Sequence, residues 1–192
     1  MSDEVLLERQ GRTLIITINR PEARNAFNLA VAQGLADAVD ELDDTPELSV
    51  AIITGAGGNF CAGMDLKAFM AGEVPAIEGR GIGFTERPPR KPLIAAVEGY
   101  ALAGGTEIVL ATDLIVAAKN AKFGIPEVKR GLVAAGGGLD LGDQIEPAQP
   151  GRLITFVDVH VLAEAAGELD FAVLNRNLAG DEDQLPHHHS LG

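Results

Sequence analysis

The chain has no tryptophan, one tyrosine and seven phenylalanines among its 192 residues. With aromatics at 4% and apolar residues at 46%, its core must rest on Ala, Leu, Ile and Val. That apolar content excludes a disordered composition, and the length suits one domain with a real core. Cys61 is the lone cysteine, so no internal disulfide can form. Bases are few: 15 Lys and Arg face 28 Asp and Glu, a net charge of −13. Such a balance argues against nucleic acid or an anionic membrane as partner. No run of about 18 consecutive apolar residues appears, so no membrane-spanning helix is expected. The acidic start Met1-Ser2-Asp3-Glu4 leads into no long apolar stretch, which predicts a soluble, cytoplasmic protein without a signal peptide. Histidine is missing before residue 160, which excludes a His-activated nucleophile over residues 1–139. The adjacent His187, His188 and His189 read as a solvated tail, and no metal site is expected. Gly55-Ala56-Gly57-Gly58 is not the G-x-G-x-x-G of a dinucleotide site, and no phosphate-binding P-loop sequence occurs.

What is present alternates between strand and helix signals. Val5–Arg9 and Thr13–Asn19 predict a hairpin turning at Gln10-Gly11-Arg12. Asn28 is placed to cap a helix running to about Asp43, with Leu29, Ala32, Leu35, Ala36, Val39 and Leu42 on one stripe. Val50–Thr54, Leu93–Val97 and Leu114–Ala117 read as short strands. Asp65–Met70 and Gly105–Ala111 read as short helices. The segment 71–92, rich in Gly and Pro, predicts a mobile loop. The order argues for a layered α/β domain.

Three stretches carry the chemistry. Phe60-Cys61-Ala62-Gly63-Met64-Asp65-Leu66 lets a ligand approach the backbone at its small residues. In Gly99-Tyr100-Ala101-Leu102-Ala103-Gly104-Gly105-Thr106-Glu107, two glycines open a helix whose free N–H groups favour developing negative charge. The third, Phe123-Gly124-Ile125-Pro126-Glu127, holds a second carboxylate twenty residues after Glu107. Glu107 lies on an otherwise apolar helix, where partial burial suits general acid–base work. Each glutamate alone reads equally as an ordinary carboxylate, Glu107 at a helix start and Glu127 paired with Lys129 or Arg130. Both beside both glycine motifs point to one shared site.

Together these motifs resemble the crotonase superfamily, the enoyl-CoA hydratases and isomerases. The resemblance implies a crotonase-like α/β spiral of ββα units over residues 1–139. It also implies that the N–H groups of Met64 and Gly104 form an oxyanion hole for a thioester oxygen. Glu127 would give a proton to Cα, and Glu107 would hold and activate water. The implied reaction is addition of water to a trans-2-enoyl-CoA, giving a 3-hydroxyacyl-CoA in fatty acid metabolism. The alternatives are an enoyl-CoA isomerase or other crotonase reaction, or a non-catalytic acyl-CoA-binding remnant. Coenzyme A enters as part of the substrate, and no separate cofactor is implied. By the same resemblance, Ala23 and Arg24 lie near pantetheine and phosphates, and Ala62, Asp65, Leu66 and Lys67 line the adenine and pantetheine pocket. Many family members carry three glycines where this chain has Ala103-Gly104-Gly105.

The motif resemblance ends near Leu139. Residues 140–192 hold ten acids and two bases, a net of −8, which leaves −5 of the total −13 for residues 1–139. The shift predicts an atypical acidic tail arising from a frameshift or truncation, with an amphipathic helix over Val157–Leu169 and a disordered end from Asp181. In the family, C-terminal helices build a homotrimer or hexamer, and the tail shows no counterpart of them.

Overall fold

A computed structural model describes residues 3–125 and 171–173. Strands Val5–Gln10 (β1) and Thr13–Ile18 (β2) pair antiparallel around Gly11, whose φ of 60° suits the tight turn. β2 alternates buried Leu14, Ile16 and Ile18 with half-buried residues, the pattern of a sheet covered on one face. The helix Leu29–Asp44 (α1) follows, and its stripe of Val31, Ala32, Leu35, Ala36, Val39 and Leu42 packs against β1 and β2. Asn28 caps it, its side chain accepting from the Val31 N–H at 2.9 Å. At the other end the Lys91 ammonium donates to the carbonyls of Leu42 and Thr45, each at 2.7 Å, satisfying orphan acceptors where the helix dipole is negative.

Val50–Gly55 (β3), Leu93–Val97 (β4) and Leu114–Ala118 (β6) join β2 as parallel neighbours. β1 closes one edge antiparallel, and Phe171–Val173 (β8) pairs antiparallel with β6 at the other. A second, two-stranded parallel sheet forms from Tyr100–Leu102 (β5) and Lys122–Gly124 (β7). Two short helices, Leu66–Met70 (α2) and Gly104–Leu110 (α3), complete the described elements. The core is largely aliphatic, with Phe60 and Phe84 as its largest fully buried side chains. No helix among the described residues is long and apolar enough to cross a membrane.

The loop 71–92 differs from the mobile segment its composition predicts. Ile82 and Phe84 are buried in the core, Arg80 pairs with Asp40, and the backbone N–H groups of Arg90 and Lys91 donate to Asp43. Two apolar anchors and ion pairs to α1 tie the middle and end of the loop down. β5, β7 and β8 have no counterpart in the sequence-based assignment. The expected Val157–Leu169 helix, the disordered end and the four histidines lie outside the described residues.

Candidate active site

The run Phe60–Asp65 lies between two other chain segments and hydrogen-bonds to both. On one side, Phe60 and Cys61 donate to the carbonyls of Glu98 and Tyr100 (2.8 and 2.9 Å), and Leu102 donates to Cys61 (2.9 Å). On the other, Ala62 donates to Arg24 (3.0 Å), Phe27 donates to Gly63 (2.9 Å), and Asp65 donates to Phe27 (2.9 Å). Phe27 and Met64 therefore form a parallel bridge. Because extended backbone alternates its polar groups, the Met64 N–H points away from Phe27, toward the side on which Cys61 meets β5. Among the described residues no acceptor meets that N–H.

β5 runs directly into α3 through Ala103. Thr106 and Glu107 return their N–H groups to the Ala103 carbonyl (2.8 and 3.2 Å), while those of Gly104 and Gly105 meet no acceptor among the described residues. The two segments touch: a methyl group on Gly63 would come within 2.9 Å of Ala103 Cβ and 3.1 Å of the Leu102 oxygen. Gly63 has φ of 99°, so both its backbone and its lack of a side chain are required there. Each contacting residue is directly followed by a donor that meets no acceptor among the described residues, Met64 and Gly104.

Glu107 sits in the first turn of α3 with 3% of its surface exposed, in a helix buried from Gly104 to Val109. It lies three positions after Gly104, a rise of about 4.5 Å along the helix. The Thr106 hydroxyl donates to Ala101 O (2.6 Å) and accepts from the Gly124 N–H (3.3 Å), locking α3 to both strands of the small sheet. Ala103 holds φ of 53° and ψ of −129°, a conformation costly for any residue with a Cβ. Met64, Gly104 and Glu107 thus belong to one corner of the molecule. Glu127 lies outside the described residues.

The residues expected near coenzyme A fall on two adjoining segments. Ala23 ends a single 3-10 turn, and Arg24 follows in a left-handed conformation with φ of 51°. Buried Asn25 fixes this turn, accepting from the Arg20 N–H (2.8 Å) and donating to Ala56 O and Asn59 O (2.7 and 2.6 Å). The hydrogen bond from Ala62 to Arg24 brings the second segment alongside, and Leu66 and Lys67 lie exposed at the start of α2. Asp65, expected to line the coenzyme A pocket, uses its carboxylate within the protein. Its carboxylate accepts from Arg20 (2.9 Å) and from the Lys67 and Ala68 N–H groups (3.0 and 3.3 Å), so its side chain caps α2. The hydrogen bond from Arg20 holds the Asp65 pKa below its ordinary value.

Sequence reasoning passed over two further residues. Arg20 is one, because its partner Asp65 is 45 positions away. Lys122 is the other: its ammonium lies 5.4 Å from the Tyr100 ring centre, and the Arg24 guanidinium lies 6.0 Å from the same ring. Only the β5–β7 register, which sets Tyr100 opposite Lys122, brings the second cation there. Cys61 is fully buried, and burial pushes its thiol up to about 12, so it is no nucleophile.

Comparison with known proteins shows the family. A family model described as Enoyl-CoA hydratase/isomerase matches residues 8–166, past the Leu139 boundary of the motif resemblance. The chain is 47% identical over 144 residues to enoyl-CoA hydratase EchA19 of Mycobacterium tuberculosis, covering 70% of this chain and 53% of that protein. It is 42% identical over 188 residues to carnitinyl-CoA dehydratase of Salmonella typhimurium, covering 95% of this chain and 70% of that one. The crystal structure of a probable enoyl-CoA hydratase/isomerase from Mycobacterium abscessus superposes with a TM-score of 0.71 at 69% identity, over 76% of this chain and 58% of that chain. The chain thus spans about half the length of EchA19. Its mixed α/β sheet is the crotonase fold of these neighbours. With the family match reaching from residue 8 to residue 166, the chain belongs to the enoyl-CoA hydratase/isomerase family.

Proposed function

We propose that the protein adds water to a trans-2-enoyl-CoA, giving a 3-hydroxyacyl-CoA. One observation carries the reading: the N–H groups of Met64 and Gly104, unpaired among the described residues, sit where two segments touch, one helical turn from the buried Glu107. Both donors would bind the thioester oxygen, most tightly when it carries the negative charge of an enolate. Such a donor supplies about 3–4 kcal/mol of barrier lowering. Polarising the carbonyl makes C3 of the conjugated thioester electrophilic. Water held by Glu107 attacks C3 and gives that carboxylate a proton, the C2–C3 π pair moves onto the thioester oxygen, and the enolate collapses as Glu127 delivers a proton to C2.

The names of the relatives support hydration over other reactions, since a hydratase and a dehydratase run one reaction in opposite directions. Arg24 supplies the natural partner for the phosphates of the coenzyme A moiety, with Ala23, Ala62, Leu66 and Lys67 beside it. Coenzyme A is substrate here, and the scheme calls on no metal. The reading extends to a cytoplasmic homo-oligomer, a trimer or hexamer, acting in fatty acid metabolism.

The test is product identification in isotopically labelled water with short- and long-chain 2-enoyl-CoA. Hydration predicts loss of the conjugated thioester absorbance and a 3-hydroxyacyl-CoA carrying one solvent oxygen. Migration of the double bond without oxygen uptake would make the protein an isomerase. Tight binding without turnover would make it an acyl-CoA-binding protein.

A further inference from the structure

The Arg20 side chain is only 14% exposed and makes three contacts, all within the protein. Its Nη1 donates to the carbonyl of Ala26, its Nη2 donates to Asp65 Oδ2 at 2.9 Å, and its Nε lies 3.3 Å from Glu4 Oε1. Ala26 immediately precedes Phe27, and Asp65 immediately follows Met64. Phe27 and Met64 are the two residues of the parallel bridge. One planar cation therefore clasps both chains at the bridge that aims the Met64 N–H.

The other oxygen of Asp65 adds a second restraint. Oδ1 accepts from the N–H groups of Lys67 and Ala68, fixing the start of α2 to the same carboxylate. The Met64 N–H belongs to the peptide shared with Gly63, whose carbonyl accepts from Phe27, and the next residue, Asp65, is held by Phe27, by Arg20 and by the α2 cap. A misplacement of about 1 Å at a reacting centre can cost on the order of 100-fold in rate. We infer that Arg20, acting through Asp65 and Ala26, is a positioning residue that sets the direction of the Met64 N–H at the thioester oxygen. The inference rests on the oxyanion reading of Met64 proposed above. Lysine cannot replace Arg20, because a single ammonium lacks the planar fork that reaches Ala26 and Asp65 together.

A merely structural pair would lower the melting temperature and leave the chemistry of the folded enzyme alone. The test therefore compares Arg20→Lys and Asp65→Asn with the parent chain, below the melting temperature of each. Asp65→Asn keeps an oxygen to cap α2, so it reports even where Arg20→Lys does not fold. The readouts are kcat, KM and the infrared carbonyl stretch of a bound, isotope-labelled enoyl-CoA thioester. In the parent chain, hydrogen bonding should move that stretch to lower frequency. The expected result is a smaller move in the variants, with kcat down about 100-fold and KM within about threefold. A parent-like stretch and kcat in folded variants would overturn the inference. No move in the parent chain would overturn the oxyanion reading itself, before any variant is measured.

Discussion

Gly104 presses its α-carbon against the ring of Phe27. A Cβ at Gly104 would stand 2.5 Å from Phe27 Cε1, 2.8 Å from Cζ and 3.0 Å from Ile82 Cδ1. Both neighbours are buried, so neither can swing into solvent. Gly104→Ala should destabilise by about 1–3 kcal/mol through overpacking. It should also lower turnover about 100-fold by displacing a donor. Denaturant unfolding and initial rates check both. Adding Phe27→Leu should recover part of the stability, because the clash is with a side chain. Gly105→Ala should have no such rescue, since its Cβ would lie 2.3 Å from the backbone oxygen of Cys61.

Ala103 is the strained residue of the site, at φ of 53° and ψ of −129°. Such a conformation costs about 1–3 kcal/mol for a residue with a Cβ. Glycine relieves that strain but loses about 0.5–1 kcal/mol through its freer unfolded chain. Ala103→Gly should therefore stabilise the protein by about 1 kcal/mol, read as a higher denaturant midpoint at unchanged slope. Ala103→Val should do the reverse.

The Arg20–Asp65 pair should appear in the acid limb of stability. The folded pKa of Asp65 lies below its ordinary value of 3.8, because the carboxylate is hydrogen-bonded by Arg20. Its stabilisation is thus complete above pH 3.8 and is lost as pH falls through the lower folded value. Unfolding midpoints measured from neutral pH downward should drop more steeply below that point in the parent chain than in Asp65→Asn. Equal slopes would mean that the pair contributes nothing.

Much of the main sheet and its helix was legible because each element announces itself locally. Asn28 followed by the stripe from Ala32 to Leu42 predicts α1, and the side chain of Asn28 caps it as expected. Leu93–Val97 reads as a strand from its own apolar run and is one. β5 and β7 were not legible: each has three residues, and Tyr100 becomes a strand residue only by pairing with Lys122. The same distance in sequence hides the clasp between Arg20 and Asp65. Ile82 and Phe84, buried within a Gly- and Pro-rich loop, show two apolar side chains outweighing local composition. At the candidate site, the close approach of the two segments was legible from their glycines, since small residues are what the contact of Gly63 with Ala103 demands.

In the proposed reaction Glu107 works on water beside two backbone donors. Single-turnover hydration of a 2-enoyl-CoA by Glu107→Gln tests it most directly, because glutamine keeps the size of the buried side chain and removes its charge and basicity. The chemical step should fall by about 100- to 10,000-fold, with affinity for the CoA thioester within a few-fold of the parent chain. Hydration by Glu107→Gln at the parent rate would contradict it.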